Sequence, residues 1–403
     1  MPPYVFDEYD LADPAFYVDD RPEEVWRSLR ELGEPVRAGG DRDYWIMTGY
    51  RQVDAVLRDT VSFSSEQGMQ LGARESVSLR AAHAAAGQML IVSDGAAHRA
   101  IRRAVGAAFT PRWVAKLEES ILATARSLVQ DVACGQPVDF VGTVAAQLPV
   151  IVLCDLLGVP SADRDYVAAL TRTAFGDPML GELFSQEAAN AELFGYCDEL
   201  VNDKRRVPGE DIATVLATAE VDSAPISQET ATLNAYGIIV GGNETTRHAS
   251  CTAVMSAYQA PEQWRRLRAG AVGFDDAVEE ILRIASPANH MMRCATTEVS
   301  IASATIAPGE FVTLWLGSAN RDADVFDDPD RVDFGRHPNR HLAFGGGSHA
   351  CLGAYLARLE LRCLLRALLE FVAHVDPAGD AIRLRSSIMR GYTRVPLVLV
   401  PGR

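Results

Sequence analysis

The run Phe344-Gly345-Gly346-Gly347-Ser348-His349-Ala350-Cys351-Leu352-Gly353 sets one thiol behind three glycines and ahead of an apolar helical pattern. Glycines let a backbone bend tightly and come close to a flat ligand. At a helix start, free amide donors and positive potential favour a thiolate over a thiol. A thiolate bound to heme iron raises its electron density and promotes cleavage of an O–O bond on the opposite side. Phe344 is placed to shield such a sulfur from water and oxidants. Two plainer readings stand beside this one. The loop could simply cap a helix around an ordinary buried cysteine. His349 and Cys351 could instead hold zinc, although no other Cys/His pair offers further ligands at usable spacing.

Three further constellations have spacings that matter. In Glu280-Ile281-Leu282-Arg283 the acid and base lie three residues apart, on one helix face, and can pair. Such pairs are common on solvated surfaces. His98 and Arg102 are four apart and share a face able to hold a carboxylate-bearing ligand, although a lone histidine there is more often a surface residue. Gly241-Gly242-Asn243-Glu244-Thr245-Thr246 puts poor helix formers inside a long helical pattern. Such a local cost often marks a functional site, and Thr245 can bond back to a carbonyl one turn earlier, opening the ladder for water. The alternative is a glycine-eased helix crossing.

Together these segments resemble the cytochrome P-450 superfamily in its soluble bacterial form, in the expected order and over nearly the whole chain from Tyr44 to Pro396. The resemblance implies a mainly α fold with a minor β-sheet, in which a long central helix crosses heme b. It assigns Cys351 as the iron ligand, with Phe344 and Gly353 as cofactor contacts. His98, Arg102, Arg293 and His349 become partners of the heme propionates. Glu280 and Arg283 become a buried structural pair tied to Arg331 of Asp328-Pro329-Asp330-Arg331, where Val332 replaces the commoner phenylalanine. Glu244 and Thr245 map onto an acid–alcohol pair that supplies the two protons consumed in activating dioxygen. The distal pocket falls to the loop from Met69 to Leu90, including Met89 and Leu90, to Gly237, Val240 and Gly241, to Asn289, His290 and Met291, and to Ile388 and Met389. Methionines recur there, and a pliable apolar lining suits a sizeable hydrophobic molecule oriented by Asn289 and His290. They could equally be core filling.

The elements that must position these residues read as follows. Tyr44 to Thr48 predicts a strand, and Gln52 to Arg58 a helix. Ser62 to Gln88 reads as an irregular loop, and helical patterns dominate from Ala96 to Ala271. The longest starts with Ser227 as N-cap and runs to Tyr258, a rod of roughly 45–50 Å. Phe274 to Ile284 predicts a helix. Strands Glu298 to Ile301 and Phe311 to Leu316 are joined through Pro308-Gly309. After a turn-rich stretch from Asn320 to Arg340, a helix is expected from Cys351 to Phe371 and a strand from Val395 to Val400. No linker or internal repeat interrupts residues 1–403, so one domain is expected.

With 38 basic and 54 acidic residues, the net charge of −16 repels phosphate backbones and argues against nucleic-acid binding. Lys116 and Lys204 are the only lysines, and arginine suits fixed carboxylate contacts. Seven cysteines without a CxxC motif argue against a disulfide scaffold and for a reducing cytoplasm. Met1 to Asp20 is acidic, with no apolar core for a signal peptide or membrane anchor. The resemblance then implies a monomeric cytoplasmic monooxygenase fed with NAD(P)H electrons by a ferredoxin and its reductase, with Arg99, Arg103, Arg112 and Arg340 as docking candidates. Its substrate is a hydrophobic small molecule, free or carrier-bound, of secondary metabolism such as antibiotic or polyketide synthesis. Two other uses stay open: oxidative coupling or ring formation without oxygen insertion, and a non-enzymatic heme sensor.

Overall fold

Ser227 opens the long helix as its spacing predicts, its Oγ accepting the Thr230 amide at 3.0 Å. The helix runs Gln228–Gln259, about 48 Å at 1.5 Å per residue, and stops before Pro261, whose ring cannot continue it. The computed structural model describes residues 5–38, 44–71, 83–175, 186–221 and 223–402. Around the rod pack helices Gln147–Leu157, Gln186–Arg206, Ile212–Ala217, Phe274–Ala285 and Ala354–Phe371. Leu153, Val254, Ile281 and Leu364 are all buried in this core. Each such aliphatic side chain contributes ~1.5–3 kcal/mol on leaving water. The fold is mainly α with small sheets, as the resemblance implies.

The main sheet has six strands in the order Val5–Phe6, Val36–Ala38, Tyr44–Met47, Phe311–Trp315, His290–Ala295, Phe63–Ser64. Phe311–Trp315 runs parallel to Tyr44–Met47 and antiparallel to His290–Ala295. Between the two strands expected on either side of Pro308-Gly309 lies a further one, Ala304–Ile306, that the sequence reading lacked. Val299–Ile301 pairs with Ala304–Ile306 through a two-residue turn at Ala302-Ser303. The chain leaves that small hairpin to join a strand more than two hundred residues away in sequence, which no local pattern reveals. The stretch from Ser62 likewise yields an edge strand, while residues 72–82 of the expected loop lie outside the described residues. Pro396–Pro401, the predicted last strand, is flanked by Val372–Pro377 and Pro137–Asp139. All seven cysteines are free, and among the described residues no helix is long and apolar enough to cross a membrane.

Candidate active site

The cysteine loop is closed by its own backbone, with the Cys351 amide donating to the Phe344 carbonyl at 2.8 Å. Gly347 has φ +63°, and a β-carbon there would stand 2.5 Å from the Leu57 carbonyl oxygen. Only glycine lets the loop lie on helix Tyr50–Arg58. The following helix begins at Ala354 with Gly353 as N-cap, so Cys351 lies just ahead of it and not at its first residue. Gly353 hydrogen-bonds the Cys351 sulfur and, with Arg102 and Arg358, favours the thiolate. Burial outweighs them and pushes the thiol pKa up, although Cys351 retains accessible surface. The helix-start amide therefore acts in the expected direction, toward the thiolate, and desolvation opposes it. Phe344 packs under the Arg358 guanidinium, 4.5 Å from its centroid, and Arg358 in turn bonds Glu279.

Glu280 and Arg283 form the expected buried pair, joined by two bonds of 2.8 Å. The second arginine differs from expectation. Arg336, not Arg331, reaches Glu280, at 3.2 Å, and Asn339 and the Asp333 amide complete its oxygens. Arg331 is exposed, pairs with Asp328 and Asp333, and offers only its carbonyl to Arg283. In a turn-rich segment five residues decide which side chain turns inward. The buried Phe334 two residues before Arg336 is the signal that could have found it.

His98, Arg102, His349 and Arg293 come from three separate segments. The His98 and His349 rings stand 4.1 Å apart. His98 Nε2 is buried without a partner, and burial, then the neighbouring His349 and Arg102, push its pKa down to about 4. Arg102 donates to the Ala350 carbonyl at 2.6 Å, so it braces the Cys351 loop as well. Arg293 is buried with its guanidinium on the Met292 carbonyl. Sequence reasoning missed Asp94, whose carboxylate lies 3.0 Å from His349 Nε2.

At the middle of the long helix, Thr245 donates its hydroxyl to the Gly241 carbonyl at 2.8 Å. The bond is the one expected, but the helix runs through unbroken, so its ladder is not opened. Glu244 lies about 100° further round the helix and does not meet Thr245. It is buried, with Arg247 Nη2 at 2.5 Å and His248 Nε2 at 3.7 Å. The Arg247 contact is an ion pair by distance without hydrogen-bond alignment, since both Glu244 oxygens lack a hydrogen-bond partner. Burial raises the Glu244 pKa to about 7 against the pull of Arg247. His248 and Arg247 also escaped the sequence reading. Gly391 gives His248 its room, because a β-carbon there would stand 2.0 Å from Nδ1.

A cytochrome P450 family model matches residues 274–387, the span that holds the Glu280 network and the Cys351 loop. Cytochrome P450 NovI of Streptomyces niveus is 33% identical, covering 98% of this chain and 97% of its own. The chain belongs to the cytochrome P450 family. Linalool 8-monooxygenase of Pseudomonas putida is also 33% identical, over 97% of this P450 and 99% of its own length. The structure of P450 OxyD, involved in the biosynthesis of vancomycin-type antibiotics, superposes with a TM-score of 0.90 at 34% identity, covering 98% of this chain and 100% of that one. The protein is a P450 monooxygenase, an oxidoreductase of a family that holds heme iron and uses dioxygen with externally supplied electrons.

The residues present in this P450 fit heme. A free cysteine with accessible surface, an unpartnered buried imidazole nitrogen at His98 and buried cationic Arg293 make a donor set for iron and carboxylates. The zinc alternative finds no support, since among the described residues no three His, Cys, Asp or Glu side chains are arranged to hold a metal ion. Of the expected pocket residues, Met89, Leu90, Val240, Gly241, Met291, Ile388 and Met389 keep accessible surface. Met89 packs over Gly237, its methyl 2.8 Å from where a β-carbon would sit, and Ala288 bridges to Met389. Asn289 and His290 are corrected. Both are buried: Asn289 donates to the Ser386 and Ser387 carbonyls, and His290 bonds Ser387 and the Leu71 amide. The His290 ring nitrogens and the Asn289 amide nitrogen hold loops together and are not free to orient a substrate.

His98→Ala is expected to speed heme transfer to an apo-globin acceptor while leaving the thiolate spectrum intact. A lost hydrogen bond to a charged group costs ~1.5–3 kcal/mol, or roughly ten- to hundredfold in retention. Arg102 is less informative, because its bond to Ala350 ties it to the cysteine loop as well. A wild-type transfer rate in His98→Ala would remove His98 from the cofactor rim.

Proposed function

We propose that residues 1–403 form one cytoplasmic, monomeric domain that inserts an oxygen atom from dioxygen into a hydrophobic small molecule, free or carrier-bound, of secondary metabolism. The cofactor would be heme b, held by Cys351, His98, Arg102, Arg293 and His349. Electrons from NAD(P)H would arrive through a ferredoxin and its reductase, with exposed Arg99, Arg103, Arg112 and Arg340 as docking positions. The biosynthetic role draws support from the likeness to OxyD.

Thr245 carries the reading. Bound heme supplies reductive activation of dioxygen, and the chain's own side chains must deliver the protons. With its hydrogen committed to Gly241, the Thr245 hydroxyl presents its oxygen as an acceptor, fixed in orientation. Glu244, with a pKa of about 7, can both take and release a proton at neutral pH, the best condition for a proton carrier. Since it rests against Arg247, a rotation away from that ion pair is needed before Glu244 serves the Thr245 side.

Thr245→Ala removes the hydroxyl and keeps a good helix former, so heme binding and fold should persist. In the reconstituted electron-transfer chain, NAD(P)H consumption should continue while product per electron falls several-fold and hydrogen peroxide rises. Groups that move protons commonly contribute ~10²–10⁴-fold, and water can replace part of that. Wild-type coupling in this variant would sink the relay. Labelled dioxygen separates insertion from oxidative coupling, because only insertion leaves the label in the product.

A further inference from the structure

We infer that Asp94 is a positioning residue for the cofactor rim: its carboxylate pins the His349 imidazole and sets a negative charge among the basic side chains gathered there. The inference rests on the reading of His98, His349 and Arg293 as partners of the heme carboxylates.

Asp94 immediately precedes helix Gly95–Gly106, and its backbone carbonyl accepts the His98 amide at 3.2 Å. The carboxylate itself faces other segments. One oxygen lies 3.0 Å from His349 Nε2, and the other accepts the Ser64 hydroxyl at 2.8 Å and the Ser65 amide at 2.7 Å. Edge strand, helix start and cysteine loop thus meet on one side chain. Three donors leave it no freedom to swing away. Burial works against its charge, but the bonds from His349, Ser64 and Ser65 outweigh that and hold its pKa at about 2.

An ionised carboxylate only accepts, so His349 Nε2 carries the proton and Nδ1 is the nitrogen left for another partner. Fixing a ring through its far nitrogen is how outer carboxylates orient histidines that serve a cofactor. The effect passes on, because His349 lies 4.1 Å from the His98 ring, whose Nε2 has no partner in the protein. Asp94 also favours the charged form of buried Arg293, opposing the burial that lowers its pKa to about 10. One carboxylate therefore steadies three of the four groups assigned to the rim.

Two variants separate orientation from charge, each measured on purified holoprotein. Asp94→Ala removes both, and heme transfer to an apo-globin should accelerate about tenfold or more, the usual effect of losing an orienting carboxylate. Asp94→Asn keeps the shape, so its heme loss should change less. In both variants the heme reduction potential should rise, because a nearby anion disfavours the added electron. A purely structural residue would leave that potential where it was. Unchanged potentials in both variants overturn the inference, and so does wild-type heme loss in Asp94→Ala. If Asp94→Ala does not fold, the potential of Asp94→Asn decides alone. His98→Ala provides the control. If it too retains heme normally, the rim reading itself has failed; if it loses heme while the Asp94 variants behave as wild type, only the role of Asp94 falls.

Discussion

Cys351→His is expected to abolish the red-shifted Soret band of the ferrous–CO complex, and with it all monooxygenase turnover. Only a thiolate ligand produces that band, through the electron density it gives the iron. The loop should survive the change. Its closing bond uses the Cys351 backbone amide and the Phe344 carbonyl, and Gly347 sets its path over Leu57. Loss of the band in a well-folded, heme-containing variant thus isolates the ligand from the scaffold. Persistence of the band would hand the role to another of the seven cysteines. Cys154, Cys197, Cys251 and Cys363 are poor replacements, being buried in the helical core.

Glu280→Ala should give little folded holoprotein. Glu280 and Arg283 are both fully buried, and Arg336 and Asn339 bond the same carboxylate. Removing it strands two arginines whose remaining partners are carbonyls of the segment from Asn320 to Arg331. Breaking a buried pair in this way costs ~3–5 kcal/mol, a large share of the stability of an ordinary domain. Thermal unfolding and heme content measure it. A wild-type melting temperature would contradict the role of this network as the brace between helix Phe274–Ala285 and the segment that leads to Cys351. Arg336→Ala should show a smaller version of the same loss, whereas Arg331→Ala should be nearly silent, because exposed ion pairs contribute ~0–1 kcal/mol. That contrast tests the corrected assignment directly.

Local chemistry made much of this P450 legible from its sequence. The three-residue step from Glu280 to Arg283, the Ser227 cap and the Thr245-to-Gly241 bond depend on neighbours within about one helical turn, and all of these took the expected form. What failed depended on which side chain faces inward when the chain returns from far away. The inward arginine was five residues off because turn-rich backbone has no period to read. Strand Phe311–Trp315 chose partners near residues 45 and 292, far beyond its own hairpin. Asn289 and His290 looked like pocket donors by type, but distant loops at Leu71 and Ser387 claimed the His290 ring nitrogens and the Asn289 amide nitrogen. Glu244 was drawn toward Arg247 and His248, while Asp94 acquired its place only when strand, helix and cysteine loop converged. Residue type and spacing determined which chemistry the chain carries. Burial and long-range hydrogen bonds, which exist only once remote segments pack, decided which side chains are free to perform it.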